Sequence, residues 1–485
     1  MNMIFTEIQS AILSEPELDA ALELAHIYGN LLWFADVGIY DASDLEQELI
    51  SRCTATPNRV VVDVDAVVRG AVIHVVTEPY VTGGHTRLME KLAGMHDRPV
   101  DLLITKRASK AALDRVSRYF KSVVQIGLCT PLERVFKTTD VLSRYEKIVL
   151  HLHPDDIYTV VACGLLNRRA EQKVFFVNHA DHVFSFGCSV ADYYFELSSY
   201  GRRLDALKKI KGVKSFLGIP IDVPEKKYES AKVHLNSESL HFITAASDIK
   251  FKPVKGLSLT VLLNRILTEY PNCKVSVIGS NIKTAYWWWL LKVKYKKRFL
   301  VIPIMPHSEY LATMQGADFF VDSYPIPGGT AFAEQFVLGR RCVGLVSPLQ
   351  GYSPADRLKR TTVDQVMNSI ADYKFSTEIH DLIVKVNSTA NVESRYLRCV
   401  EDGIICQNLL DSYCDWSGDV GLFRQKDGAL AVDVSTSAYF ALKKLNYRLA
   451  IKLLLSLRFD KKLKLLLKVL LAKYKKTRSS RLDVI

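Results

Sequence analysis

Short runs of β-branched and aromatic residues alternate with amphipathic segments along most of this chain, and no other feature restricts its fold as strongly. A first series of runs comprises Val60–Val62, Val72–Val76, Leu102–Ile104, Ile148–Leu150 and Val174–Val177. A second series comprises Phe242–Thr244, Val275–Gly279, Phe299–Ile302, Phe319–Val321 and Cys342–Leu345. Strands that alternate with helices form right-handed βαβ units around a parallel sheet. The sequence therefore predicts an α/β protein with two Rossmann-like sheets.

The chain of 485 residues is also too long for one ordinary domain. The stretch Asp222–Leu240 is polar and contains a proline and a run of charges, which is typical of a linker. We divide the chain into 1–58, a helical extension; 59–222, the first Rossmann-like domain; 241–400, the second; 401–440, a returning helical segment; and 441–485, a basic tail. The two domains are expected to face a cleft, since ligands of open α/β sheets bind beyond the carboxyl ends of the strands.

Charged residues and cysteines narrow the classes of function. Residues 441–485 contain 14 basic and two acidic residues, which account for the whole net charge of +12. The rest of the chain is neutral, which argues against nucleic acid as a partner. The nine cysteines are scattered without C-x-x-C spacing, and we find neither a signal peptide nor an apolar run of roughly 18 residues. These features predict a cytoplasmic protein without a zinc site or a membrane span.

A glycine-containing turn, Thr82–Arg87, follows the run Val72–Val76 and precedes a helical stretch. Gly83 and Gly84 let the backbone approach a ligand, and N–H groups at a helix start attract anions. The spacing differs from the G-x-G-x-x-G pattern of dinucleotide sites, which are therefore disfavoured. His85 is a candidate general base at this strand-to-helix turn, and a plain turn without a ligand is the alternative.

Polar residues also follow the run Val174–Val177 directly, in the segment Asn178–His182. His179 and Asp181 are candidates for holding or deprotonating a substrate hydroxyl. A metal ion on His179 and His182 would require a third ligand, and no residue of the sequence stands out as that ligand. A polar cap on a buried strand is a further interpretation that needs no ligand.

Three lysines follow the first strand of the second series, and each of them could neutralise a phosphate: Lys250, Lys252 and Lys255. A solvated charged face is the alternative interpretation of these residues. Gly279 and Ser280, which come after another strand, form a similar turn that is a weak signal by itself.

The most specific segment, Asp322–Gly339, comprises a strand end, a loop rich in proline and glycine, and a helix that begins near Thr330. Gly328, Gly329 and Thr330 would present N–H groups and a hydroxyl to a phosphate at the helix N-terminus, where the helix dipole favours anions. Glu334 lies one turn into the helix and could accept a hydrogen bond from a ribose or sugar hydroxyl. A loop that needs glycine only for its geometry is the alternative.

These features together resemble the GT-B glycosyltransferases. The pattern Asp322-x-x-Pro325-x-x-Gly328-Gly329-Thr330, with Glu334 shortly before Gly339, is similar to the donor loop of one group in particular. This group contains the O-linked N-acetylglucosamine transferase and the bacterial adhesin glucosyltransferases. The loop also resembles those of bacterial surface-polysaccharide glycosyltransferases.

The resemblance covers residues 60–400 and implies that 59–222 is the acceptor domain and 241–400 the nucleotide-sugar donor domain. Lys252 is a looser match to the phosphate-binding lysine of the group. We assign donor binding to this set: Gly83, Gly84, Lys252, Gly279, Asp322, Gly328, Gly329, Thr330 and Glu334. GT-B enzymes generally hold the diphosphate without a bound metal, and the chain has no Asp-x-Asp in a suitable place, so no cofactor is expected.

The resemblance also bears on mechanism and acceptor. A large retaining family has paired glutamates, and Ile326 stands where the partner of Glu334 would be, so we expect inversion. The base candidates for the acceptor hydroxyl are His85, His179 and Asp181. The N-terminus lacks the tetratricopeptide repeats of protein-modifying relatives, which disfavours a protein acceptor. We expect a lipid-linked surface polysaccharide or lipopolysaccharide as acceptor. Other interpretations are a protein glycosyltransferase, a non-catalytic scaffold subunit and an epimerase, and other glycosyltransferases are candidate partners.

The tail supports an acceptor at a membrane. The stretch Ala441–Lys476 alternates leucine-rich triplets with lysines at helical spacing, which is typical of helices that bind anionic membrane surfaces. It therefore predicts peripheral attachment to the inner face of the plasma membrane, with a helix docked on the protein body as the alternative. Trp287–Trp289, followed by Lys292–Arg298, is a second candidate contact with membrane or acceptor, or else a helix packed on the core.

Overall fold

The computed structural model describes residues 3–56, 68–81, 83–166, 172–224, 239–413, 420–421, 424–425 and 428–482. Contacts divide the chain into two compact units. Unit 1 comprises Met1–Phe195, Leu204–Ser215 and Gly421–Ile485, and unit 2 comprises Glu196–Arg203 and Phe216–Val420. The predicted strand Val60–Val62 and most of the predicted linker Asp222–Leu240 lie outside the described residues.

Unit 1 is built on a sheet of seven strands: β1 (Val68–Val76), β2 (Asp101–Ile104), β3 (Val123–Gln125), β4 (Tyr145–His151), β5 (Lys173–Val177), β6 (Tyr193–Glu196) and β7 (Val213–Phe216). Their order is β3-β2-β1-β4-β5-β6-β7, and the five pairings from β3 to β6 are parallel. The register pairs Val76 with His151, so β1 and β4 end side by side. The predicted parallel α/β architecture is confirmed.

Among the described residues, eight α-helices precede the second sheet: α1 (Met3–Ser14), α2 (Leu18–Phe34), α3 (Ser43–Thr54), α4 (Gly84–Ala93), α5 (Lys110–Val116), α6 (Pro131–Leu142), α7 (Ile157–Leu165) and α8 (Ser199–Asp205). Local sequence explains where such helices begin. In α6, for example, the Thr130 hydroxyl accepts from the N–H of Glu133, and the Glu133 side chain caps Thr130 in return. Pro131 suits the first turn, because its nitrogen has no hydrogen to satisfy.

Unit 2 contains a parallel sheet with the order β10-β9-β8-β11-β12: β8 (His241–Ala245), β9 (Lys274–Ile278), β10 (Phe299–Ile302), β11 (Phe319–Val321) and β12 (Arg341–Val343). Its helices are α9 (Asp248–Phe251), α10 (Leu259–Glu269), α11 (Trp289–Tyr295), α12 (His307–Gln315), α13 (Thr330–Val337), α14 (Val363–Ala371), α15 (Thr377–Asn387) and α16 (Thr389–Asp402). Strands β8 and β11 are neighbours, so the segments that follow them emerge together at one edge.

The last helices of the chain return to unit 1: α17 (Thr436–Leu445), α18 (Tyr447–Ser456) and α19 (Phe459–Leu482). Leu442, Leu453 and Leu465 are buried in the apolar core that also contains Phe5 and Tyr28 of the N-terminal helices. The helical extension and much of the basic tail are therefore built into the body of unit 1. None of the described helices combines the length and the apolar character that crossing a bilayer requires.

Candidate active site

Histidines from three segments converge at the carboxyl-terminal edge of the unit 1 sheet. His85 lies in the first turn of α4, His151 is the last residue of β4, and His179 follows β5. The ring centroids of His85 and His179 are 4.2 Å apart, so two base candidates from separate motifs share one site. Among the described residues, no three His, Cys, Asp or Glu side chains are arranged to hold a metal ion.

Hydrogen bonds connect this pair to histidines that the sequence did not single out. Nε2 of His179 lies 2.7 Å from Nδ1 of His151, and Nε2 of His151 lies 2.9 Å from Nδ1 of His74. A neutral imidazole has one N–H donor and one acceptor nitrogen, so the three tautomers are coupled. If Nε2–H of His179 donates to His151, and His151 donates to His74, then Nδ1 of His179 carries the lone pair that accepts a proton.

Burial keeps these imidazoles neutral. Burial, with a smaller contribution from His153, lowers the pKa of His85 to about 3. Burial likewise lowers the pKa of His74, His151 and His179 well below the usual range. A base must be neutral to act, but a strongly lowered pKa makes it a weak proton acceptor until negative charge comes near.

The glycine turn before α4 is open. A Cβ on Gly83 or Gly84 would meet no atom within 4 Å, and α4 has no side-chain cap. Gly83 has φ 123°, which residues with a side chain rarely adopt, so the backbone conformation at this position favours glycine. The ring nitrogens of the adjacent His85 are buried, and neither has a side-chain hydrogen-bond partner among the described residues. The uncapped N–H groups therefore adjoin accessible space, whereas the ring nitrogens of His85 do not.

Asp181 neighbours a structural ion pair. Asp205 and Lys208 lie 2.9 Å apart with both side chains fully buried. Burial raises the pKa of the Asp205 carboxyl, and the charge of Asp181 adds to that rise. His182, which is exposed, lies 3.5 Å from Asp181. Asp181 therefore differs from the other two base candidates, His85 and His179, because it lies beside a buried ion pair that stabilises the fold.

In unit 2, a buried ion pair shapes the loop after β11. Oδ1 of Asp322 accepts hydrogen bonds from the N–H groups of Ser323 and Gly328, both at 2.8 Å. Its Oδ2 lies 2.7 Å from Nζ of Lys359, and only 1% of either side chain is exposed. Lys359 also pairs with Asp356 at 2.5 Å. Asp322 was predicted to bind donor, and in the structure it holds the backbone of the loop.

This loop leads into an uncapped helix start. Gly329, the residue before α13, has φ 64° and ψ −108°, a combination that requires glycine. No side chain caps α13, and a Cβ on Gly329 would meet no atom within 4 Å. The first N–H groups of the helix, beginning with Thr330, are therefore available to an anion.

The remaining predicted donor residues differ in position. Nζ of Lys250 donates to the carbonyl of Pro327 at 2.9 Å, and burial lowers the pKa of this lysine. Lys252 is exposed instead, so the lysine that reaches the loop is Lys250. Gly279 has φ 88° and packs against the carbonyl of Ala246, which leaves no room for a side chain. Glu334 is half-buried on α13.

Comparison with solved structures identifies the fold, although no protein-family model and no curated protein sequence matches this chain. The structure of HepE from Anabaena in complex with UDP and glucose has a TM-score of 0.51 and 12% identity, covering 68% of this chain and 100% of HepE. TarM has a TM-score of 0.50 and 8% identity, covering 70% and 100%. The Thermobaculum terrenum O-GlcNAc transferase is 17% identical over 82% of this chain and 76% of its own, with a TM-score of 0.46.

The similarities to HepE and TarM, together with two Rossmann-like units, place the chain in the GT-B glycosyltransferase fold class. The predicted resemblance is thereby confirmed at the level of the fold. The assignments of individual donor-binding and catalytic residues stay predictions.

Proposed function

We propose that this protein transfers a sugar from a nucleotide-sugar donor to a glycan acceptor. The observation that carries the proposal is the uncapped start of α13 behind the left-handed Gly329, which offers N–H groups to a diphosphate on a GT-B fold. HepE, which has the same fold, was solved with UDP and glucose, so a uridine nucleotide is the first donor to test.

Unit 2 would hold the donor. Gly329 and Thr330 contribute N–H groups, and the ammonium of Lys250 contributes positive charge beside the same loop. Burial disfavours the charged form of Lys250 in the free protein, and a diphosphate next to it would restore that form. Glu334 could accept a hydrogen bond from a ribose or sugar hydroxyl, one turn into α13.

Unit 1 would supply the base. His179, or His85 beside it, takes the proton of the acceptor hydroxyl, whose oxygen attacks the anomeric carbon of the donor. The bond from that carbon to the diphosphate oxygen breaks, and the electron pair leaves with the diphosphate. A single displacement inverts the anomeric configuration. Negative charge brought close by an anionic substrate would raise the pKa of His85 from about 3 toward the range useful for a base.

The acceptor we favour is lipid-linked, because α19 displays apolar side chains between lysines. Its outward leucines are 40% to 62% exposed: Leu463, Leu466, Leu467, Leu470 and Leu471. A basic helix with such a face binds at the surface of an anionic bilayer. Leu465 of α19 is buried in the core with leucines of α17 and α18, so the proposed membrane contact concerns the outward face of α19.

The donor loop can be tested by substituting Gly329→Asp in the full-length protein. A carboxylate at the start of α13 would repel the diphosphate, and the positive φ would be strained. We expect sugar transfer from radiolabelled UDP-glucose or UDP-N-acetylglucosamine to a lipid extract to fall by about 100-fold or more. Transfer is measured as label recovered in the organic phase.

Gly256→Asp provides the matched control, because Gly256 also has a positive φ, of 82°, with no atom within 4 Å of its Cβ position. This variant should transfer sugar at the wild-type rate. Equal activity of both variants and the wild type would reject the assignment of the donor loop. Label recovered only as free sugar would instead indicate that the protein does not transfer to an acceptor.

A further inference from the structure

Exposed apolar side chains cover one side of the segment between β9 and β10, at the start of α11. The exposed fraction is 62% for Tyr286, 53% for Trp289, 84% for Leu290 and 75% for Val293. We call these four side chains the α11 patch. Tyr286 lies in the 3-10 turn that leads into α11, and Val293 lies four residues after Trp289 and three after Leu290, so the last three side chains are neighbours on the surface of α11.

The opposite side of this helix is anchored in the core of unit 2. Ala285, Trp288 and Leu291 are buried there, and the indole N–H of Trp288 donates to Oγ of Ser280 at 2.9 Å. The outward direction of the patch is therefore set by packing and does not arise from fraying of a helix end.

The indole of Trp289 is suited to an apolar environment. Its Nε1–H donates to the carbonyl oxygen of Ile282 at 2.7 Å. The ring can therefore leave water without losing a hydrogen bond, which is the main cost of burying an indole. Tryptophan is enriched at the boundary between lipid and water for this combination of apolar area and a satisfied polar group.

The segment that carries the patch has charged residues of one sign. Residues 281–298 contain no Asp or Glu and six basic residues: Lys283, Lys292, Lys294, Lys296, Lys297 and Arg298. Of these, Lys283, Lys294, Lys296 and Lys297 are exposed. The segment is thus strongly basic, although the chain before residue 441 is neutral as a whole.

This charge distinguishes between occupants of the patch. A second copy of the chain would bring like charges together around the apolar centre. Single-stranded nucleic acid binds through aromatic stacking, and Leu290 and Val293 offer no stacking surface. An anionic bilayer supplies both an apolar layer for the side chains and negative charge for the surrounding lysines.

We propose that the α11 patch inserts into the interfacial layer of an anionic lipid bilayer. This contact belongs to unit 2 and is separate from the proposed contact of α19 in unit 1. It depends on neither donor binding nor catalysis.

The test is sedimentation of the full-length protein with vesicles of phosphatidylcholine and phosphatidylglycerol. The double variant Leu290→Ser/Val293→Ser should bind these vesicles about tenfold more weakly, because each lost apolar side chain weakens partitioning. The control is Val261→Ser/Ile405→Ser, which changes two apolar side chains of unit 2 that are 58% and 47% exposed, and it should bind like the wild type.

Lipids brominated in the upper acyl chain give a second readout. They should quench the fluorescence of the wild type and of Trp33→Phe, and quenching should be much weaker for Trp289→Phe. Unchanged sedimentation of Leu290→Ser/Val293→Ser, or unchanged quenching in Trp289→Phe, would overturn the proposal. A loss of binding that occurs only in Leu467→Ser/Leu471→Ser, on α19, would also overturn it and assign the membrane contact to the tail.

Discussion

At the scale of single residues, the hydrogen-bonded histidine chain of His74, His151 and His179 is the feature that most affects the chemistry of unit 1. His74 is fully buried, and its Nδ1 contacts His151, which in turn contacts His179. Each neutral imidazole has only one N–H to donate. A proton accepted by His179 therefore favours a change of tautomer in the other two histidines. His74 and His151 are thus positioning residues for His179 in the proposed mechanism.

The lowered pKa values predict that acid destabilises the protein. An unfolded histidine has a pKa near 6.5, whereas burial lowers the pKa of His74 well below that value. Below about pH 6.5 the unfolded chain takes up a proton that the folded protein does not, so stability is lost as the pH falls. In His74→Gln, the free energy of unfolding should change with pH less steeply, by up to about 1.4 kcal/mol per pH unit.

The comparison is made by chemical denaturation between pH 7.5 and pH 5, two values chosen to lie about one unit or more either side of the ordinary histidine pKa. His182→Gln serves as the control, because His182 is an exposed histidine outside the buried cluster. If the free energy of unfolding of the wild type and of His74→Gln changes equally with pH, then His74 is not neutral and buried in the folded protein.

Sequence reasoning found His85 and His179 because each follows a strand at the edge where ligands bind. Their contact required the strand order, which places β4 between β1 and β5. His74 lies within the predicted strand Val72–Val76 and His151 directly follows the predicted strand Ile148–Leu150, so neither is among the predicted site residues. A single polar residue inside a buried strand is the one local signal that could have drawn attention to His74.

At the scale of elements, the donor loop depends on a residue outside its own sequence. The loop between β11 and α13 holds its shape through Asp322, whose charge is balanced by Lys359 after β12. No periodic pattern links these two positions, so the sequence predicted the loop but not its support. The same limit applies to Lys250 and Lys252, since the short helix α9 decides which of them reaches Pro327.

Replacing Lys359 should therefore destabilise unit 2. Lys359→Met leaves the carboxylates of Asp322 and Asp356 buried without their cation, and we expect a loss of about 3–5 kcal/mol in the free energy of unfolding. Lys374→Met removes the cation of an ion pair with Asp372, in which 81% and 78% of the side chains are exposed, and should have little effect. Denaturant titration distinguishes the two, and equal stability of both variants would contradict the structural role of Lys359.

At the scale of the whole molecule, each unit carries its own part of the proposed reaction. Unit 1 contains the histidine chain and the helices from both ends of the chain, and Lys452 pairs with Glu7 at 2.9 Å between α18 and α1. Removing residues 441–485 would expose this shared core, so membrane binding is better tested with substitutions on α19 and in the α11 patch. The sequence predicted helices at both ends, but it contained no signal that they pack on each other.

Above all, we propose that a nucleoside diphosphate binds at the start of α13. It is tested most directly by thermal unfolding of the full-length protein with UDP, GDP, ADP, CDP and TDP, with UDP first. A ligand that binds the folded state raises the unfolding temperature by mass action. We predict that at least one of these nucleotides stabilises the wild type and Gly256→Asp but not Gly329→Asp. If no nucleoside diphosphate shifts the wild type, or if Gly329→Asp is stabilised equally, the claim is contradicted.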